Sequence, residues 1–321
     1  MFTFVVSVVG GVYLDDFVIN IMNITKNFGK VTALNVLNMQ APKGISGFVG
    51  KNGSGKTTTI GILLGLIRAN KGQATMFGLD CWKHSFEIRQ RLGVMHETNA
   101  YPGNFSGRRF LTHVAKLYGI TQIDQTITEL LSDVDLTHAQ DKPIKTFSAG
   151  MFKRLGLAQA LIGNPELAIL DEPTANIDPL GRTAILEKIK EIHKKHGTSF
   201  LISTHILSDL EKICNYLIII DQGKLVDQGY MNNLTEKYSA NIYKIETSNT
   251  EQFTTAIQKL SSIDKVWIEY NKLFCKVNNP EVFCAEIPKI ASELKLQLKS
   301  FQQNSGSLEE IYTQTVGAKQ K

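Results

Sequence analysis

The run Gly50-Lys51-Asn52-Gly53-Ser54-Gly55-Lys56-Thr57 restricts the possible folds of this chain more than any other segment. It fits the spacing GxxxxGK[ST], and its flanks matter as much as its glycines. Gly44 to Val49 reads as a short buried strand entering the loop, and Ile60, Leu63, Leu64 and Ile67 recur at helical spacing after it. Strand, glycine loop and helix in that order let the backbone curl until successive N–H groups point inward, backed by the positive end of the helix. Such a cradle suits phosphate. Lys56 would reach the β- and γ-phosphates of a nucleotide, and the Thr57 hydroxyl would ligate Mg²⁺. The expected phosphate-facing set is Gly50, Lys51, Asn52, Gly53, Ser54, Gly55, Lys56, Thr57 and Thr58. A plain glycine-rich turn is the alternative, and the flanking strand and helix argue against it.

A second apolar run, Leu167 to Leu170, ends in Asp171-Glu172-Pro173. A strand leaving a parallel core delivers its last side chains to the carboxyl edge, where ligands bind. Asp171 is then placed to hold the hydration shell of Mg²⁺. Glu172, one residue further, is better placed to orient or deprotonate an attacking water. The alternative is that the two carboxylates merely cap the next turn. His205 follows another apolar strand, Phe200 to Thr204, and by itself reads as a turn residue.

Strands over Leu167 to Leu170 and Thr198 to Ser203, with a helical run Thr183 to His193 between them, argue a parallel α/β core. Phe17 to Lys26 alternates like a strand and ends at Asn27-Phe28-Gly29. Between Thr98 and Gly150 the pattern is mostly helical, through Phe110, Val114, Leu117, Ile127, Leu130 and Leu131, and reads as an inserted helical subdomain. Tyr216 to Asp221 is a buried strand leading into a hairpin turn, Asp221-Gln222-Gly223-Lys224. Near Asn232 the style changes. Asn241 to Glu246 (strand), Thr250 to Leu260 (helix), Lys265 to Val277 (a hairpin turning at Asn271-Lys272), Pro280 to Leu294 (helix) and Lys295 to Phe301 (strand) give the order βαββαβ. Ser307-Leu308-Glu309-Glu310 is a capping box that opens a short terminal helix. The expected division is an N-terminal extension over 1–16, a nucleotide-binding domain over 17–235 with its helical subdomain near 98–160, and a C-terminal accessory domain over 236–321.

Between the glycine loop and the acid pair lies Phe147-Ser148-Ala149-Gly150-Met151. Locally, Ser148 reads as the N-cap of a helix through Phe152, Leu155, Leu157, Ala158 and Leu161. In this order and spacing the three motifs resemble the ATP-binding cassette (ABC) transporter family, specifically its nucleotide-binding subunit, over about Phe17 to Met231. The resemblance implies an α/β P-loop NTPase core with a helical signature subdomain, to which this chain adds a small α+β C-terminal domain. It implies that ATP is bound with Mg²⁺ and hydrolysed to ADP and phosphate. In the family the Ser hydroxyl and Gly N–H at the positions of Ser148 and Gly150 contact the γ-phosphate of ATP held by the opposite subunit. The usual signature is Leu-Ser-Gly-Gly-Gln. Here the two phosphate-facing positions are kept, while the middle Gly and the terminal Gln are not. Phe28 matches the aromatic that stacks on adenine, and Asp178 the carboxylate of the loop crossing the dimer interface. His205 matches the residue that contacts the γ-phosphate and positions water and Glu172. Glu97 aligns with a family Gln; a carboxylate there can still contact Mg²⁺ or its water, with added negative charge near phosphate.

One chain carries one phosphate loop and one signature, so the resemblance implies a dimer, either a homodimer or a pair with a sister ATPase subunit. It also implies separate transmembrane permease subunits. The most apolar stretch, Phe2 to Leu14, is broken by Ser7, Gly10 and Gly11 and falls short of the roughly 20 residues that span a bilayer. The expected location is therefore cytoplasmic, peripheral on the inner face of the cell membrane through the permease. The net charge of +5 is dispersed, so no nucleic acid partner is expected. Cys81, Cys214, Cys275 and Cys284 form no CxxC pair and read as reduced thiols. The tail through Ser307-Leu308-Glu309-Glu310-Ile311-Tyr312 resembles that of drug- and antibiotic-exporting members, which favours export over import. A cassette ATPase acting on ribosome or DNA is the alternative. Such relatives carry two cassettes or a long coiled-coil insert, and neither is visible. A P-loop kinase or GTPase would lack the signature segment.

Overall fold

The computed structural model describes residues 17–239, 241–269 and 272–303, together with Leu308 and Tyr312. The extension 1–16, the turn residue Asn271 and the capping-box residues Ser307, Glu309 and Glu310 lie outside the described residues. The described residues divide into two compact units, with the boundary between Met231 and Asn232.

The first unit opens with β1 (Phe17–Phe28), β2 (Val31–Pro42), β3 (Ile45–Val49), α1 (Lys56–Leu63), β4 (Lys71–Met76), β5 (Leu79–Asp80) and α2 (Ser85–Gln90). It continues through β6 (Leu92–Met95), α3 (Gly107–Leu117), α4 (Ile123–Asp133), α5 (Ala149–Leu161), β7 (Leu167–Asp171) and α6 (Pro179–His196). It closes with β8 (Ser199–Thr204), α7 (Leu207–Ile213), β9 (Tyr216–Asp221) and β10 (Lys224–Tyr230).

Six of these strands form one sheet in the order β10-β9-β3-β8-β7-β6. All are parallel except β10, which returns from β9 through Gln222 and Gly223, both at positive φ (48° and 72°), as a two-residue primed turn demands. Every residue of β3, β7 and β8 is buried, which is why these strands read as unbroken apolar runs rather than alternating ones. The register sets Val49 beside Thr204, Asp171 beside Ser203 and Met95 beside Leu170. The chain segments that follow these four strands therefore leave from one edge.

A second, antiparallel sheet has the order β2-β1-β4-β5. Its inner face (Ile19, Ile21, Ile24, Leu34, Leu37, Met39) shares a core with Phe48, Ile60, Leu63, Ile169 and Ile218. Here the structure departs from the sequence expectation. The strand expected over Phe17 to Lys26 is half of a long hairpin whose return strand, β2, has no clean alternation because the pairing shifts register four times. The helical spacing that continues through Leu64 and Ile67 outlasts the helix itself, which stops at Leu63. Gly65 turns left-handed (φ 68°), and the Leu66 and Ile67 amides fold back onto the Gly61 carbonyl at 2.9 and 3.0 Å.

Helices cover the remaining face: α5 packs on β6 and β7, and α7 on β3. The α5–β6 contact is closest at Gly93, where a Cβ would come within 1.8 Å of the Ala160 carbonyl oxygen. Backbone cannot yield as a side-chain tip can. Gly93→Ala is expected to destabilise the protein by about 3 kcal/mol. Calorimetry should register a fall in Tm of roughly 6–12 °C.

From the boundary, α8 (Met231–Ser239) leads into the second unit, which runs β11 (Ile242–Thr247), α9 (Thr250–Ile257), β12 (Ile263–Glu269), β13 (Lys272–Val277), α10 (Pro280–Glu293) and β14 (Leu298–Gln303). Its antiparallel sheet has the order β12-β13-β11-β14. Ile245 and Leu273 of the sheet share one core with Phe253 and Ile257 of α9 and Phe283 and Ile287 of α10. Cys81, Cys214 and Cys275 are buried free thiols and Cys284 is half-buried. No helix among the described residues is long and apolar enough to cross a membrane.

Candidate active site

The glycine loop leaves β3 and wraps into α1 by way of three glycines with different reasons to be there. Gly55 sits at φ 108°, and a Cβ on it would meet Leu34 Cδ2 at 2.6 Å. Gly50 lies in an ordinary conformation, but a Cβ would strike the Ile220 carbonyl oxygen at 2.5 Å. Gly53 (φ 78°) faces open space, so only its conformation requires glycine. The loop is braced from outside. The Gly223 amide of the β9–β10 turn donates to the Ser54 carbonyl at 2.9 Å, and the Ser54 amide donates to the Lys51 carbonyl at 3.0 Å.

Lys56 is buried at the first position of α1, and its ammonium donates to the carbonyls of Gly50 (2.5 Å) and Lys51 (3.3 Å). Burial lowers its pKa below the ordinary lysine range, while Glu172, Asp171 and Glu97 act in the opposite direction. Thr57 is exposed and Thr58 half-buried beside it; Lys51 and Asn52 are exposed. Phe28, 49% exposed, ends β1 opposite Val31, close along β2 to the Ala33–Leu34 segment that abuts Gly55. It lies free of the core, with the Lys26 ammonium 4.8 Å from its ring centroid.

The acid pair follows β7. Asp171 is buried, and that burial raises its pKa above its ordinary value, with Glu172 adding to the effect and Lys56 opposing it. Glu172 is held at every polar group. Its Oε2 accepts from Thr204 Oγ1 at 3.2 Å, and its Oε1 lies 2.9 Å from His205 Nδ1. Its amide donates to the Ser203 carbonyl at 2.8 Å, and its own carbonyl accepts from Lys153 Nζ at 2.8 Å. The backbone is left-handed at this residue (φ 49°), a conformation that costs a non-glycine residue about 1–3 kcal/mol and persists only where neighbours impose it.

Ser148 caps α5 as the sequence suggests: its Oγ accepts from the Met151 amide at 3.3 Å. It is exposed, and Gly150 beside it has no heavy atom within 4 Å of where a Cβ would stand. Asp178 likewise caps α6, accepting from the Gly181 amide at 2.9 Å. Glu97 is exposed two residues beyond β6.

The structure thus brings the loop, Asp171, Glu172, His205 and Glu97 to one sheet edge, while Ser148 and Asp178 stand at exposed helix tips. Two contributors escape the sequence reading. Thr204 is hidden as the last residue of a buried strand. Lys153 looks like half of a solvated Lys-Arg pair, although it shares a helical face with Leu157 and Ala160, and both of those are buried. That shared face is the signal available beforehand. Among the described residues no group of three His, Cys, Asp or Glu side chains could hold a metal by itself. The oxygen donors present, the Thr57 hydroxyl and the Asp171 carboxylate, suit an Mg²⁺ that keeps waters and shares substrate phosphates.

A family model described as "ABC transporter" matches residues 34–175. The bacitracin transport ATP-binding protein BcrA of Bacillus licheniformis is 38% identical over 221 residues, 68% of this chain and 72% of that one. The linearmycin resistance ATP-binding protein LnrL of Bacillus subtilis (strain 168) is 30% identical over 302 residues, 92% of this chain and 97% of that one. Among solved structures, cbiO1 from Clostridium perfringens, part of the ABC transporter complex cbiONQ, has a TM-score of 0.64 at 22% identity. That match covers 76% of this chain and 96% of the other, and speaks for the fold alone. The chain belongs to the ABC transporter family. Within it, this is an ATP-binding subunit that hydrolyses ATP to energise transport.

Proposed function

We propose that the chain is the ATPase of an exporter, working as a dimer against separate membrane-spanning permease subunits at the inner face of the cell membrane. The observation that carries the chemistry is the Glu172 carboxylate, fixed by Thr204 and His205 on the sheet edge it shares with the phosphate loop. Phosphoryl transfer asks the protein mainly for positioning and charge stabilisation. Backbone amides of 50–58 and the Lys56 ammonium hold the phosphates, and Phe28 offers its exposed ring to the base. Thr57 and Asp171 would hold Mg²⁺, which neutralises phosphate charge when bound, with Glu97 near its water shell. Glu172 accepts the proton of the attacking water, and His205 keeps its carboxylate aimed while reaching the γ-phosphate. The free tip of α5, with Ser148 and the unobstructed Gly150, caps the γ-phosphate on a neighbouring subunit. Asp178 stands on the loop facing that interface.

Export is supported by the printed functions of BcrA and LnrL, bacitracin transport and linearmycin resistance. The second unit is read as a regulatory or dimer-supporting module. The reading is tested by affinity capture of the tagged full chain from detergent-solubilised membranes. The expected co-purifying partner carries several apolar spans of about 20 residues. Recovery only with ribosomes or DNA would replace the transport reading with the non-transport one.

A further inference from the structure

Only two lysines are buried among the described residues: Lys56 in the phosphate loop and Lys153 on α5. Lys153 touches neither phosphate nor water in that chemistry, although an ammonium at that depth needs bonded partners to be tolerated. Its partners are both backbone. Nζ donates to the Glu172 carbonyl at 2.8 Å and to the Glu97 carbonyl at 3.1 Å, bridging the segments that follow β7 and β6. The carboxylates of Glu97, Glu172 and Asp171 support the charge electrostatically against the effect of burial.

The bond to Glu172 falls where it has most leverage. Glu172 is the non-glycine residue in a left-handed conformation at the centre of the site, pinned at its amide by the Ser203 carbonyl and at its own carbonyl by Lys153. Without Lys153 that buried carbonyl keeps only the longer bond from the Ala175 amide (3.3 Å), and the peptide loses its shorter, charge-assisted restraint. The carboxylate would then swing away from Thr204 and His205. Moreover, α5 is the helix whose first turn is capped by Ser148, five residues and about 7.5 Å along the axis from Lys153. One rigid helix therefore carries the exposed tip at one end and the clamp on Glu172 further along.

We propose that Lys153 is a positioning residue for hydrolysis, fixing the left-handed backbone of Glu172 and coupling it mechanically to the helix tipped by Ser148. This rests on the reading of Glu172 as the group that activates water.

The test compares Lys153→Met and Lys153→Gln in the full-length chain, with Glu172→Gln alongside, reading kcat, KM for ATP and Tm. Methionine is unbranched, one atom shorter than lysine and matched in reach to glutamine, without donors. Glutamine keeps two N–H donors on one nitrogen without the charge. The methionine variant should lose at least fivefold in kcat with KM for ATP changed less than threefold, and the glutamine variant should exceed it at least threefold in kcat. A smaller loss, a loss expressed in KM instead, or a glutamine variant no better than methionine overturns the proposal. If the methionine variant melts below the assay temperature, Lys153→Arg replaces it. Its guanidinium keeps the charge but overreaches the two carbonyls, so its kcat should fall below that of the glutamine variant, and the reverse order overturns the proposal. High ATPase activity in Glu172→Gln would instead sink the assignment of Glu172. Loss there with full activity in Lys153→Met removes Lys153 alone.

Discussion

Glu172→Gln is expected to lower kcat for ATP by about 10²–10⁴ while leaving ATP affinity within a few fold, the range a positioned general base contributes. Glutamine is isosteric and can still accept from Thr204 Oγ1, so the geometry around it should persist. What it loses is the ability to take a proton from water. The backbone bonds to Ser203 and Lys153 do not involve the side chain and are untouched by the change. Turnover and nucleotide binding should therefore separate cleanly in single-turnover and equilibrium-binding measurements. A variant retaining most of the ATPase rate would remove Glu172 from its role.

Ser148→Asp is expected to be nearly as damaging, for a different reason. Aspartate caps a helix about as well as serine, so α5 should remain intact and Tm should not fall. If capping were the whole role of Ser148, this variant would be silent. A carboxylate turned toward a γ-phosphate, in contrast, replaces a donor by a like charge. A loss of at least 100-fold in kcat is expected, equivalent to about 2.7 kcal/mol. Nucleotide binding to the phosphate loop of the same chain should be unaffected. Steady-state ATPase rates, together with a melting curve, check both halves of this expectation.

Much of the core was legible because its signals are local. The glycine loop announces itself through spacing, and β3 and β7 through unbroken apolar runs that only a doubly covered sheet accommodates. The helical run Thr183 to His193 falls short of α6 at both ends, although the start is written in Asp178 as N-cap with Pro179 at the first turn, and the stop in Gly197 at φ 72°. The antiparallel sheet is largely hidden in the sequence. Its strands bulge repeatedly, and each bulge moves the inward face by one residue, so a period of two survives only in short pieces such as Leu37, Met39 and Ala41. Within the site, residue types could be read, but backbone states could not. Nothing in Asp171-Glu172-Pro173 announces a left-handed glutamate, whose backbone bonds include partners distant in sequence, Ser203 and Lys153, beside the local Ala175 amide. Lys153 was invisible for the same reason. A lysine followed by an arginine looks solvated until the helix is docked on β6 and β7.

The central claim is that ATP is completed as a substrate only between two subunits, with the loop of one facing the Ser148 tip of another. Sedimentation velocity of the Glu172→Gln chain with saturating ATP and Mg²⁺ tests it most directly. The account predicts a monomer without nucleotide and a dimer with it, and no dimer once Ser148→Asp is added to the same chain. A Glu172→Gln protein that stays monomeric with ATP bound, beside a wild-type monomer hydrolysing ATP at full rate, would contradict it.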